Sequence, residues 1–299
     1  MFNIAQRNIM IFLRNKRGVF SSFLGAIIVI GIYVIFLGEN LKEGYPNIKD
    51  IDILMNSWAM AGIISVVSVT TTMGSFGVTV LDKELKRNKD FYCSPVKTRE
   101  LVGGYILSSY LIGVIMSIFT FILAEIYIVS SGGQFILAEI YIVSSGGQFL
   151  PMLSIIKVIG VILLTVLSSS AMIFFIVNLL NSIDTFSTAS TIIGTLIGFL
   201  TGIYIPIGSL PQAVQTLIKL FPISHGTVLL RQIITESPSK VTFVDSTNAL
   251  TEFNEHMGVT FGGIGSLSEN SIHIMFLVIS AIVFYFVTIL MVSRKKARN

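Results

Sequence analysis

At 299 residues, 53% hydrophobic and only 12% charged, the chain lacks the polar surface of a soluble domain, where about a quarter of residues carry charge. The formal net charge of +4 comes from cations gathered beside apolar runs, so it reads as membrane orientation rather than nucleic-acid binding. The one cysteine, Cys93, excludes an intrachain disulfide. Apolar runs of about 20 residues recur, each long enough for a bilayer core of about 30 Å, so the expected class is an all-α polytopic membrane protein.

Residues 1–17, MFNIAQRNIMIFLRNKR, set Phe2, Ile4, Ile9, Phe12 and Leu13 against Arg7, Arg14, Lys16 and Arg17. This pattern predicts an amphipathic helix lying at the membrane interface, the plainer alternative being a flank that only fixes orientation. No cleavable leader is expected, because the first apolar run lacks a small-x-small exit. Six spans are predicted, over 19–37, 57–81, 103–129, 152–180, 185–204 and 273–292. The second contains Ser65, Ser68, Thr70, Thr71, Thr72, Ser75 and Thr79. These hydroxyls either bond back to their own helix or line a polar route.

Between the second and third spans lies the densest polar stretch, GSFGVTVLDKELKRNKDFYCSPVKTRELVGG. Its cations and anions must sit in water or at headgroups, since a charge at the bilayer centre costs a few kcal/mol, about 3 or more. Asp82, Glu84 and Arg87 are expected on a short polar helix offered to a soluble partner. Fourteen of the twenty Lys and Arg fall at residues 1–17, in this loop and after Val292, which places both termini and the loop in the cytoplasm.

The third span ends in an anomaly: FILAEIYIVSSGGQ occurs at 121–134 and again, unchanged, at 135–148. The first copy is expected to finish the span near Val129 and the second to lie along the outer interface, the alternative being a helix that runs on through the first SSGG and carries the second copy outward as a stalk. Glu125 and Glu139, one in each copy, are candidates for function as ionisable residues in a span, but are read as sitting near the outer end and reaching the headgroups. Pro151 stands where a helix start tolerates proline, and Asp184 is read as the cap of the fifth span. Gly194, Gly198 and Gly202 make two overlapping G-x-x-x-G steps, a face for close helix approach. Residues 205–272 are too apolar for a free loop and too broken by Pro206, Pro211 and Pro222 for a span. Short re-entrant helices fit the first part, and an external loop fits the rest.

Several chemistries are missing. No G-x-x-x-x-G-K-[ST] loop occurs, so this chain is expected to hold no ATP by that route. His225, His256 and His273 lack metal spacing, and no acid and nucleophile pair marks a hydrolase. No cofactor or metal is expected in the chain. Span interiors are nearly free of ionisable residues, so the energy source lies outside the chain or there is none.

Three stretches together carry a family likeness. They are Asp82-Lys83-Glu84 with Ser94-Pro95-Val96, Arg99, Leu101 and Gly103; then Gly202, Pro206, Leu210-Pro211, Phe221-Pro222 and Arg231; and the six-span pattern behind an interfacial helix. In these the chain resembles the membrane subunit of ATP-binding-cassette exporters of the type-2 permease family. It departs at the duplication and at Asn88-Lys89-Asp90.

The resemblance implies one permease domain over 1–299, with an interfacial helix at 1–17, a coupling loop at 82–102 and a re-entrant region at 205–272. It implies a multi-pass protein of the plasma membrane, paired with a second permease, identical or homologous. A separate pair of ATPase subunits would hold ATP and Mg, leaving this chain non-catalytic. Coupling to the ATPase is expected at Asp82, Glu84, Arg87, Asp90 and Pro95 with Arg7 and Arg14, and helix packing at Gly194, Gly198 and Gly202. Substrate would leave between the second and fifth spans. Expected substrates are amphipathic: a drug, an antimicrobial peptide or a lipid-like compound. Export of a surface polymer or lipid-linked glycan, a non-transporting assembly or sensor protein, and a passive channel stay open beside it.

Overall fold

The computed structural model describes residues 1–44, 51–87, 96–130, 150–244, 247–261 and 269–298, and every regular element among them is a helix. α1 (Phe2–Arg14) is amphipathic as expected. It buries Ile4, Ala5, Asn8 and Phe12 and exposes Phe2, Leu13 and Arg14. Its start lies across the third span, where Gly104 has no Cβ; one placed there would stand 2.8 Å from the Ile4 side chain. Gly104 therefore permits an approach that no other residue allows. α2 (Lys16–Ile32) runs through a π turn (Tyr33–Leu37) into α3 (Gly38–Glu43).

α4 (Ile51–Ser75) is the hub of the bundle. Its main contacts are with α2, α6 (Thr98–Ser130), α7 (Leu150–Leu179), α8 (Ile183–Leu200) and α10 (Pro222–Ile234). Its hydroxyls settle the choice left by the sequence. Thr71 donates to the Val67 carbonyl at 2.6 Å, Ser68 to Ser65 at 2.7 Å and Ser75 to Thr72 at 2.7 Å, all buried. They satisfy themselves on their own helix, and most of α4 is a packed centre; half-buried Thr70 faces a cavity instead. At Phe76 the chain breaks into α5 (Gly77–Glu84).

α6 is helical into the first copy of the duplication, as far as Ser130; residues 131–134 and the second copy, 135–148, lie outside the described residues. Glu125 corrects the sequence reading. It is 1% exposed, so it turns into the bundle instead of reaching headgroups. Phe121, Ala124 and Ile128 are buried with it, three and four residues apart, on one helix face. Glu139 lies outside the described residues. A second correction concerns the fifth span. Ser182, not Asp184, caps α8: its hydroxyl accepts from Thr185 N in a capping box, and Asp184 sits in the first turn.

After α8 the chain makes a short 3-10 turn (Ile207–Ser209), then α9 (Gln212–Lys219) and α10, which meet at 90° with Pro222 opening α10. They stand where short re-entrant helices are expected, and the bend is that of a re-entrant loop or of one broken span. α11 (Glu236–Thr242) and α12 (Thr247–His256) follow, and α13 (Glu269–Arg298) closes the bundle against α7. Among the described residues, five helical stretches are long and apolar enough to cross a membrane, and up to six if the bent pair counts as one span. The protein is therefore an all-helical, multi-pass membrane protein.

Candidate functional site

Asp82, Lys83 and Glu84 end α5, and three consecutive helical residues point about 100° apart. Each reaches a different helix. Asp82 takes a two-pronged ion pair from Arg7 of α1, Nη1 to Oδ2 at 2.8 Å and Nη2 to Oδ1 at 2.9 Å. Tyr105 of α6 donates its hydroxyl to the same carboxylate at 3.0 Å, and Arg87 stands 3.9 Å away. The carboxylate, mainly through hydrogen bonding, raises the Arg7 guanidinium above its ordinary pKa. Lys83 Nζ donates to the Val177 carbonyl at 2.9 Å and to Leu180 at 3.4 Å, where α7 ends. Glu84 Oε2 accepts from the Ile183 amide at 3.1 Å, where α8 begins. A cation thus meets the carbonyl end of one helix and an anion the amide end of the next, as the helix dipole favours.

The structure places the expected coupling residues unequally. Arg7 and Asp82 meet. Asp82 is 1% exposed and faces inward; its charge is taken up by Arg7 and Tyr105. Glu84, Arg87 and Arg14 are exposed. Arg87 lies past the end of α5, whose exit is marked by Lys86 at φ 57°. Asp90 and Pro95 lie outside the described residues.

Of the glycines, Gly194 and Gly198 share a face of α8. Gly202 lies beyond its last residue, Leu200, at φ +69°, so it turns the chain rather than extending that face. A Cβ on Gly198 would meet the Tyr204 ring of this same chain at under 3 Å; one on Gly194 would meet nothing.

Sequence reasoning missed Lys83. The signal was present: two predicted spans meet at Asn181–Asp184 with no cation of their own to answer the carbonyls of the first.

Directly beside this cluster lies a cavity of about 500 Å³. Ile11, Phe12 and Asn15 line it from α1 and its end, Thr70 and Met73 from α4, and Gly77, Val78 and Leu81 from α5. Ile183, Phe186, Ser190 and Gly194 line it from α8. None of the described lining residues carries a charge. The walls are the same elements that Asp82 and Glu84 tie together: α1, α5 and α8. Among the described residues no group of three or more His, Cys, Asp or Glu could hold a metal.

Comparison with known proteins gives one result. The model of a family described as ABC-2 family transporter protein matches residues 39–290. No curated protein matches the chain.

Proposed function

The chain belongs to the ABC-2 family of transporter proteins, and on that premise we propose that it is the export permease for an uncharged or weakly charged amphipathic substrate. As a membrane component of an ABC-2 transporter it works with an ABC ATPase, as its family typically does. The observation that carries the finer reading is the shared wall: Asp82 and Glu84 of α5 are bonded to α1 and α8, which line the cavity with α5 itself, while Lys83 ties α5 to the end of α7. Any push on the 82–102 loop or on α1 would move α5, α7 and α8 together and reshape the cavity. The uncharged lining suits an apolar or amphipathic molecule better than a polyanionic polymer, since an unpaired charge in such a site carries a large desolvation cost. In this reading the Asp82 end is cytoplasmic, a pair of ATPase subunits holding ATP and Mg presses on it, and a second permease of the same or homologous sequence completes the path.

The test is co-purification of the full chain with its ATPase, followed by ATP turnover in lipid with candidate amphipaths added. Reversing the charges of Glu84 and Arg87 together should abolish stimulation by substrate while leaving basal turnover and insertion intact; unchanged stimulation removes the coupling assignment. Orientation is read separately. In a Cys93→Ser background, Lys86→Cys and Lys296→Cys should resist an impermeant thiol reagent in intact cells, and Ser246→Cys should react.

A further inference from the structure

At the membrane face opposite Asp82, two histidines meet. His225 of α10 and His273 of α13 place their Nδ1 atoms 2.6 Å apart, both residues buried. The other nitrogen of His225, Nε2, lies 2.8 Å from the Lys219 carbonyl. A carbonyl only accepts, so Nε2 of His225 carries the proton. In a neutral imidazole its Nδ1 is then the acceptor, and Nδ1 of His273 must be the donor. The two rings are fixed in opposite tautomers by the contacts they make.

The surroundings are aromatic. Phe276 stacks on His225 at 4.0 Å between centroids, and Phe261 stands edge-on to both rings at 5.4 Å. Lys219 Nζ stands on the far side of Phe261, donating to its carbonyl at 2.7 Å and lying 5.6 Å from its ring centroid. The other charged groups on the helices packed around α10 are these. Asp52 is on α4, Lys157 is exposed on α7, and Glu236 and Lys240 of α11 pair with each other at 2.7 Å. Glu269 lies one turn before His273 on α13, whose far end carries Arg294, Lys295, Lys296 and Arg298 about six turns away, and Arg231 lies further along α10, held by the Met257 and Gly258 carbonyls.

From this we infer that His225 and His273 form a proton-operated latch between the re-entrant hairpin and the last span. The pair holds one extra proton with its hydrogen bond intact, because one ring donates and the other accepts. A second proton sets N–H against N–H at 2.6 Å, adds a second charge beside Lys219, and separates α10 from α13. The two rings titrate as a coupled unit. The latch lies on segments that the transport reading does not use, so it stands or falls independently of the substrate.

The chain has three histidines and one tryptophan, and both make the test direct. In the His256→Gln variant of the full chain in lipid nanodiscs, ¹⁵N imidazole spectra at neutral pH should show one ring protonated at Nδ1 and the other at Nε2. Trp58 lies 4.1 Å from the Arg231 guanidinium of α10, so its emission reports on that helix. Acidification should shift Trp58 emission reversibly in step with uptake of the second proton, and the His225→Phe/His273→Phe double variant should lose that shift. Two identical tautomers, or independent titration of the rings, would overturn the latch. So would an emission shift that persists in the double variant. If that variant does not fold, the tautomer spectrum of the histidine pair decides alone.

Discussion

Two arginine sites sit at opposite ends of this bundle and are held in opposite ways. Arg7 meets a carboxylate, with two hydrogen bonds to Asp82 and a third element joined through Tyr105. Arg231 meets none. It is 0% exposed, stacked 4.1 Å over Trp58, and bonded through Nη1 to the Met257 and Gly258 carbonyls at 3.2 and 3.3 Å. Its Nε and Nη2 make no hydrogen bond among the described residues. Trp58 Nε1 donates to the same Met257 carbonyl at 2.8 Å. The first arrangement is a charge-matched joint between helix ends, reachable by water through Arg7, which is 32% exposed. The second is a sealed clamp whose cation is spread over an aromatic face and backbone dipoles. A joint built of ion pairs and helix caps is made of contacts that each cost little to remake, whereas a dry clamp yields only as a unit.

Reversing the charge at Asp82 should have the largest effect. Asp82→Lys would bury a cation against Arg7 and Arg87, and removing one partner of a buried pair already costs about 3–5 kcal/mol. The variant should fail to insert stably, measured as loss of monodisperse protein in detergent, and Arg7→Glu added to it should recover part of the yield. Recovery would establish the pair itself, rather than the volume of either side chain, as the joint.

Arg231→Ala comes next, at about 3 kcal/mol, through lost packing on Trp58 and unmade bonds to two carbonyls. Arg231→Met should recover most of that loss, because it restores volume without a desolvated charge. Thermal unfolding followed by Trp58 emission reads both. If methionine fares no better than alanine, the carbonyl bonds dominate and the clamp is polar after all.

The glycines of α8 sharpen the contrast between packed and open surfaces on one helix. Gly198→Ala pushes a Cβ into the Tyr204 ring and should cost about 1–3 kcal/mol as that ring is displaced. Gly194→Ala enters open space beside the cavity and should stabilise the helix by up to about 1 kcal/mol. Equal effects would mean that Tyr204 swings aside freely.

The sequence revealed the helices where local chemistry marks them. Charges standing out from an apolar background located α1 and the 82–102 loop, and Pro206, Pro211 and Pro222 located the re-entrant turns. What it hid was which way each helix faces. A span apolar on all sides carries no stripe to say which face is inward, so Glu125 gave no hint that it turns into the bundle. Lys83 and the end of α7 are 94 residues apart in the chain, and no local pattern encodes such a contact. Gly202 continued the four-residue spacing of Gly194 and Gly198 although the helix stops before it, since spacing alone does not register a helix end.

The smallest effect is expected at Glu84, and it bears most directly on the joint. Glu84→Gln keeps an oxygen to accept from the Ile183 amide and loses only the negative charge at the start of α8, worth about 0.5 kcal/mol at an exposed helix end. Even Glu84→Ala should cost only about 1 kcal/mol, because Ser182 and Thr185 still close the capping box. Stability therefore hardly depends on this residue. If the joint only holds the fold together, ATP turnover stimulated by substrate should change as little as stability does. If the joint carries motion from the loop to the cavity wall, Glu84→Ala should lower stimulated turnover several-fold while the unfolding temperature of the permease barely moves. The ratio of the two effects, measured on the same preparation, separates a structural cap from a mechanical link. High salt should shrink the Glu84→Gln difference further, because the charge–dipole interaction it removes is screened.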